Sequence, residues 1–211
     1  MNARIAFAGT PEFAVPTLAG LRGYPAEISC VLTQPDRRAG RGRKLLASPV
    51  KRAAAGLPVR QPASLDDPAM LDDFGPRPDL LVVVAYGLIR PAWMLEWPRH
   101  GAVNVHASLL PRWRGAAPIH RAILAGDERT GVSIMQMDVG LDTGPVFATS
   151  AVPIGPETTV TELHDSLAAL GARTLIETLP DILSGRALAE PQAHVGISYA
   201  AKVHKTEAQI D

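Results

Sequence analysis

The sequence predicts an open, mostly parallel, Rossmann-like α/β sheet with helices on both faces, an antiparallel edge pair and a C-terminal linker. Three observations carry that expectation. Short apolar runs alternate with helical patterns through the first half of the chain, as βαβ units do. Residues 80–85 are almost wholly aliphatic, like a strand covered on both faces of a parallel sheet. Residues 132–137 and 146–154 are strand-like runs joined by a glycine-bounded loop too short for a helical crossover, so they should pair antiparallel.

In chain order, Ile5-Ala6-Phe7-Ala8-Gly9 reads as a buried strand ending in a tight turn. Thr10-Pro11-Glu12 then supplies an N-cap, a first-turn proline and an early acidic residue for a helix over 11–22. Pro16 removes a backbone donor inside that helix and is expected to bend it. Residues 28–32 form the second strand. Ser48-Pro49 opens a helix that stops at Gly56. Residues 80–85 are the expected central strand, 103–106 a shorter one, and 117–124 the helix after a Pro- and Gly-rich loop. Leu163, Leu167, Leu170, Leu175 and Leu179 mark helix over 158–183. Beyond Gly185 the periodicity fades, and 191–211 reads as a linker with no core of its own.

A chain of 211 residues suits one α/β domain with a short appendage. Its 21 Lys and Arg balance 21 Asp and Glu, so any polyanion partner must be met by local clustering. Cys30 is the only cysteine, which excludes an internal disulfide and a two-thiol metal site. With no secretory leader and no run long enough to span a bilayer, a cytoplasmic setting without membrane contact is expected.

Ligands of open parallel sheets bind outside the carboxyl ends of the strands. Gly9-Thr10-Pro11 lacks the dinucleotide fingerprint and no P-loop lysine motif occurs, so neither NAD nor ATP is implied. Asn104 and His106 alternate on one face of a strand near its carboxyl end. A histidine in an apolar run is often a satisfied core residue. Two polar side chains on one face are harder to bury without partners. Asp142 sits between Gly140 and Gly144 in a loop that presents it outward. Alone it reads as an ordinary turn residue, but an amide, an imidazole and a carboxylate together suit direct acyl transfer to an amine. No serine or cysteine has a nucleophile's surroundings, and the histidines lack metal-ligand spacing. Arg37, Arg38, Arg41, Arg43 and Lys44 form a glycine-containing basic loop, suited either to solvent or to a phosphate backbone. Arg112-Trp113-Arg114 is a second cluster, whose indole is expected to pack under its loop.

These residues resemble the folate-dependent formyltransferases, which share an Asn-x-His pair, a following Ser-Leu-Leu-Pro and a later Asp between glycines. Here they are Asn104, His106, Ser108-Leu109-Leu110-Pro111 and Asp142. Phe7-Ala8-Gly9-Thr10-Pro11-Glu12-Phe13, Thr33-Gln34-Pro35-Asp36, Pro111 through Ile119, and Met135-Gln136-Met137-Asp138 are most similar to the methionyl-tRNA formyltransferases within that family. The resemblance spans nearly the whole chain. It implies 10-formyltetrahydrofolate as donor, no metal, and initiator methionyl-tRNA as acceptor, in a monomeric enzyme. In that scheme Asn104 and His106 stabilise the tetrahedral oxyanion, while Asp142 orients the histidine and assists proton removal. Ser108, Leu109, Leu110 and Pro111, with Tyr86, Gly87, Leu88 and Ile89, line the folate pocket. Arg37, Arg38, Arg41, Arg43 and Lys44 contact the tRNA. Residues 1–190 are the catalytic domain, and 191–211 a linker toward a C-terminal tRNA-binding domain absent from this chain.

The same trio also suits a formyltransferase acting on a small amine, or a hydrolase releasing formate. A folate- or RNA-binding module without catalysis is a further alternative. The arginine-rich loop and the Trp113 segment argue against a small acceptor, the loop argues against the hydrolase, and the intact trio argues against a module without catalysis.

Overall fold

The aliphatic runs that mark the strands in sequence assemble as one seven-stranded sheet in the computed structural model, which describes residues 3–39, 44–88 and 91–208. In chain order the strands are β1 (Ala3–Gly9), β2 (Ala26–Leu32), β3 (Arg37–Ala39), β4 (Lys44–Leu46), β5 (Val59–Arg60), β6 (Leu80–Val84), β7 (Ala102–His106), β8 (Arg114–Gly115), β9 (Arg129–Gln136), β10 (Val146–Pro153) and β11 (Tyr199–Ala200). The helices are α1 (Val15–Arg22), α2 (Pro49–Ala53), α3 (Leu71–Phe74), α4 (Ala92–Glu96), α5 (Pro118–Leu124) and α6 (Val160–Leu183). The main sheet runs β10-β9-β7-β6-β1-β2-β5, which puts the all-aliphatic β6 at its centre. From β5 to β7 every pairing is parallel; β9 and β10 are added antiparallel, as their short connection requires.

Side chains alternate between two apolar layers. Ile5, Phe7, Leu80, Val82, Val103 and Val105 point into a core shared with α1, α5 and α6, while Ala6, Ala8, Leu81 and Val83 pack against Phe74, Met94 and Trp97 on the other face. Helices thus cover both faces, as the parallel pairing demands. Helix α6 begins with a capping box between Thr159 and Glu162. At Gly171 it passes so close to β7 that an added Cβ would stand 2.6 Å from Val105 Cγ1. This contact sets the depth of the strand carrying Asn104 and His106.

Two expectations at the first turn are corrected. A 3-10 turn over Glu12–Ala14 intervenes and α1 starts at Val15, so Pro16 lies in its first turn, where its missing N–H costs nothing, and does not bend it. Thr10 does not cap the helix; its Oγ1 accepts from the Gln34 N–H at 3.3 Å. Ser48 does cap α2, accepting from the Lys51 N–H at 3.0 Å.

The stretch after Pro191 has no core of its own, yet it lies against the domain. Tyr199–Ala200 pairs in parallel with Arg114–Gly115, and Ala200 is buried. No helix among the described residues is long and apolar enough to cross a membrane.

Candidate active site

The chain order of the parallel strands reverses direction between β1 and β6, the position where open sheets bind ligands. A cavity of about 560 Å³ opens there. Pro11 and Phe13 follow β1, Ala85 and Tyr86 follow β6, and Asn104, His106 and Ala107 end β7; the 137–142 loop closes the remaining side. The cavity therefore brings Asn104, His106 and Asp142 to one wall.

His106 is almost fully buried, and its Nε2 lies 2.9 Å from the Trp113 carbonyl. A carbonyl only accepts, so Nε2 carries the hydrogen and Nδ1 is the atom left for chemistry. That Nδ1 stands 3.7 Å from Asp142 Oδ2, beyond hydrogen-bond length but close enough for attraction once the ring is charged. The hydrogen bond that orients the ring therefore comes from Trp113, and no direct one joins His106 to Asp142. Asp142 sits at φ 52, and its Oδ2 accepts from the Gly115 N–H at 2.8 Å. Neither the Trp113 carbonyl nor the Gly115 amide carries a side-chain signal, so neither role is legible in the sequence.

Both backbone groups belong to the loop after β7, and Asp127 holds that loop. Its carboxylate accepts from Arg112 Nε at 2.9 Å and Trp113 Nε1 at 2.7 Å, and the Arg112 guanidinium stacks 4.4 Å from the indole centroid. The indole is thus packed against the loop, as expected. Trp113 itself is at φ 63, a strained setting for an aromatic residue. Hydrogen bonds from Arg112, and to a lesser degree Trp113, keep the Asp127 carboxyl below its ordinary range despite partial burial. A depressed folded-state pKa stabilises the fold above the unfolded value of about 3.9 and stops doing so as pH falls through the folded value. Asp127→Asn should therefore lower the melting temperature near neutral pH. The gap to the parent should close below about pH 4, read by thermal melts across that range.

The residues assigned to the folate pocket separate into two groups. Tyr86 and Gly87 line the cavity, and the Tyr86 carbonyl accepts from Gln34 Nε2 at 2.8 Å. Leu88 is not among the lining residues, and Ile89 lies outside the described ones. Ser108, Leu109, Leu110 and Pro111 do not line it either. Ser108 Oγ donates to the Arg112 carbonyl at 2.6 Å, and Ser133 Oγ bridges the Ser108 carbonyl and the Leu110 N–H at 2.8 and 3.1 Å. These four residues support the loop from behind.

The basic loop is a hairpin of β3 and β4, with Arg37 opposite Leu46, Arg38 opposite Leu45 and Ala39 opposite Lys44. Arg37, Arg38 and Lys44 are exposed, as are Leu45 and Leu46; Arg41 and Arg43 lie outside the described residues. Arg37 donates to Gln34 Oε1. Asp36 anchors the hairpin, accepting from Lys51 at 2.7 Å and Gln61 at 2.8 Å. Those bonds, Lys51 foremost, hold its carboxyl below the usual range. Cys30 is buried, and burial pushes its thiol up to about 11, which removes it as a nucleophile near neutral pH. Among the described residues no cluster of His, Cys, Asp and Glu is arranged to hold a metal ion.

Residues 3–179 match the formyl transferase family. A methionyl-tRNA formyltransferase of Roseobacter denitrificans is 56% identical over 211 residues, covering 99% of this chain and 68% of that protein. One from Halorhodospira halophila is 55% identical, covering 100% of this chain and 69% of that protein. The fold is also that of glycinamide ribonucleotide transformylase 1 from Symbiobacterium toebii, with a TM-score of 0.70 at 23% identity over 90% of this chain and 91% of that one.

Proposed function

The chain belongs to the formyl transferase family, among its methionyl-tRNA formyltransferases, and on that premise we propose that it moves a formyl group from 10-formyltetrahydrofolate to the α-amine of initiator methionyl-tRNA. The observation that carries this reading is the convergence of Asn104, His106 and Asp142 on one cavity wall. In this reading residues 1–190 are the catalytic unit and 191–211 lead toward a tRNA-binding domain. The enzyme acts as a monomer in the cytoplasm.

The cavity suits the donor. Tyr86, Met137, Val139 and Leu141 give an apolar lobe for a flat ring system, beside the polar wall of Asn104, His106 and Asp142. Tyr86, Gly87 and the 137–142 loop would hold the folate, with Ser108 to Pro111 as their support. The donor supplies an electrophilic formyl carbon, which the acceptor amine attacks; collapse of the tetrahedral adduct breaks the bond from the formyl carbon to N10, and tetrahydrofolate leaves with a proton on N10 in exchange for the one the amine gives up. Because Nε2 is engaged by Trp113, His106 works through Nδ1. As an imidazolium it donates, with the Asn104 amide, to the oxyanion that develops on the formyl oxygen. Asp142 provides the counter-charge and helps remove the amine proton. Direct transfer follows because no side chain among the described residues is placed as a nucleophile.

The basic hairpin is assigned to the tRNA. Neutralising Arg37, Arg41, Arg43 and Lys44 together should raise the KM for methionyl-tRNA about tenfold or more and flatten its salt dependence, by about 0.9 in the log–log slope per lost phosphate contact. The KM for the folate should stay near the parent value. Equal losses toward both substrates would remove the hairpin from the acceptor site.

A further inference from the structure

Gln192 lies beyond residues 3–179, where the family match ends, although the relatives align over it, and its stretch of sequence shows no periodicity. Its side-chain amide nevertheless makes four hydrogen bonds, the full capacity of such a group. Nε2 donates to the carbonyls of Asp142 at 2.9 Å and Gly144 at 2.8 Å. Oε1 accepts from Arg114 Nε at 3.0 Å and Nη2 at 2.7 Å. Arg114 is buried, and among the described residues no carboxylate lies within ion-pair distance of it. Gln192 thus ties the backbone of the Asp142 loop to a buried cation on the loop that orients His106.

The surrounding strap is anchored separately. Val146 and Glu190 exchange backbone hydrogen bonds at 2.8 and 2.9 Å, and the Ala200 carbonyl accepts from the N–H groups of Ala116 and Ala117 at 2.9 and 3.1 Å. Gly115, at φ 114, leaves room for that approach, since an added Cβ would stand 3.0 Å from the Ala200 carbonyl oxygen. The strap therefore stays docked by its backbone on either side of Gln192. What the amide adds is a hold on the backbone of the Asp142 loop, where Thr143 Oγ1 also donates to the Asp138 carboxylate and the αL residue Asp142 has its own carboxylate held by the Gly115 N–H.

We propose that Gln192 is a positioning residue for formyl transfer: by holding the Asp142 and Gly144 carbonyls against Arg114, it keeps the Asp142 carboxylate facing His106. This rests on the reading that Asp142 takes part in the transfer.

The test is Gln192→Met, similar in length but without hydrogen-bonding groups, together with Gln192→Glu and Asp142→Asn. Gln192→Glu keeps the acceptors for Arg114 and loses both donors. Both Gln192 variants should lower kcat about 10- to 100-fold, the cost of a small misplacement of a reacting group, with the folate KM within about twofold of the parent. Amide hydrogen exchange should quicken at Gly115, whose partner is the Asp142 carboxylate, while Ala116 and Ala117 stay protected. Unchanged kcat in either variant overturns the proposal. So does a folate KM that rises as kcat falls, or exchange that quickens equally at all three amides, which would mean that the whole strap has undocked. If Asp142→Asn itself keeps full turnover, the assignment of Asp142 fails and this proposal with it. If Asp142→Asn is slow while Gln192→Met is not, only the role of Gln192 falls.

Discussion

His106→Ala should lower kcat for formyl transfer by about 10²- to 10⁴-fold, the range for loss of a group that moves protons or stabilises charge in the transition state. The folate KM should change little, because the apolar lobe is formed by other residues. Side-chain geometry refines the expectation. The Nε2 atom is spent on Trp113 and Nδ1 faces the cavity, so asparagine, whose amide falls near Nδ1, should retain more activity than glutamine, whose amide falls near Nε2. Steady-state kinetics of the three variants decide this. Glutamine outperforming asparagine would mean that the ring works through its other nitrogen.

Asp142→Asn should cost about 10²-fold or more in kcat. This substitution isolates charge from shape. Asparagine tolerates the αL conformation that Asp142 adopts at φ 52, and its amide oxygen can still accept from the Gly115 N–H. A slow variant with an unchanged melting temperature therefore reports the loss of the carboxylate and not of the loop. Loss of activity in proportion to unfolded protein would instead make Asp142 a structural residue.

Much of this site is legible in the sequence because strands and side-chain alternation are local properties. The unbroken aliphatic run of β6 gives the centre of the sheet, and the short glycine-bounded connection gives the antiparallel edge. The spacing of Asn104 and His106 places both on one face. Pro16 differs from expectation because a 3-10 turn over Glu12–Ala14 moves the helix start from residue 11 to Val15, which changes an interior proline into a first-turn one. The family resemblance implies that Ser108 to Pro111 line the folate pocket, whereas Ser108 and Leu110 are tied by hydrogen bonds to Arg112 and Ser133, away from the cavity lining.

The groups that orient the site are the least legible. The Trp113 carbonyl and Gly115 N–H belong to the backbone, which any sequence would supply. Gln192 is 50 residues from Asp142 and 78 from Arg114 along the chain, in a stretch without periodicity. Such contacts follow from the path of the chain in three dimensions, and no local pattern encodes them.

The most direct test of the central claim is a transfer assay with this chain, 10-formyltetrahydrofolate and charged initiator methionyl-tRNA, with His106→Ala alongside. Formyl-methionyl-tRNA formed by the parent and not by the variant is the expected result. Formate release without formylated tRNA, or transfer that survives loss of His106, would contradict it.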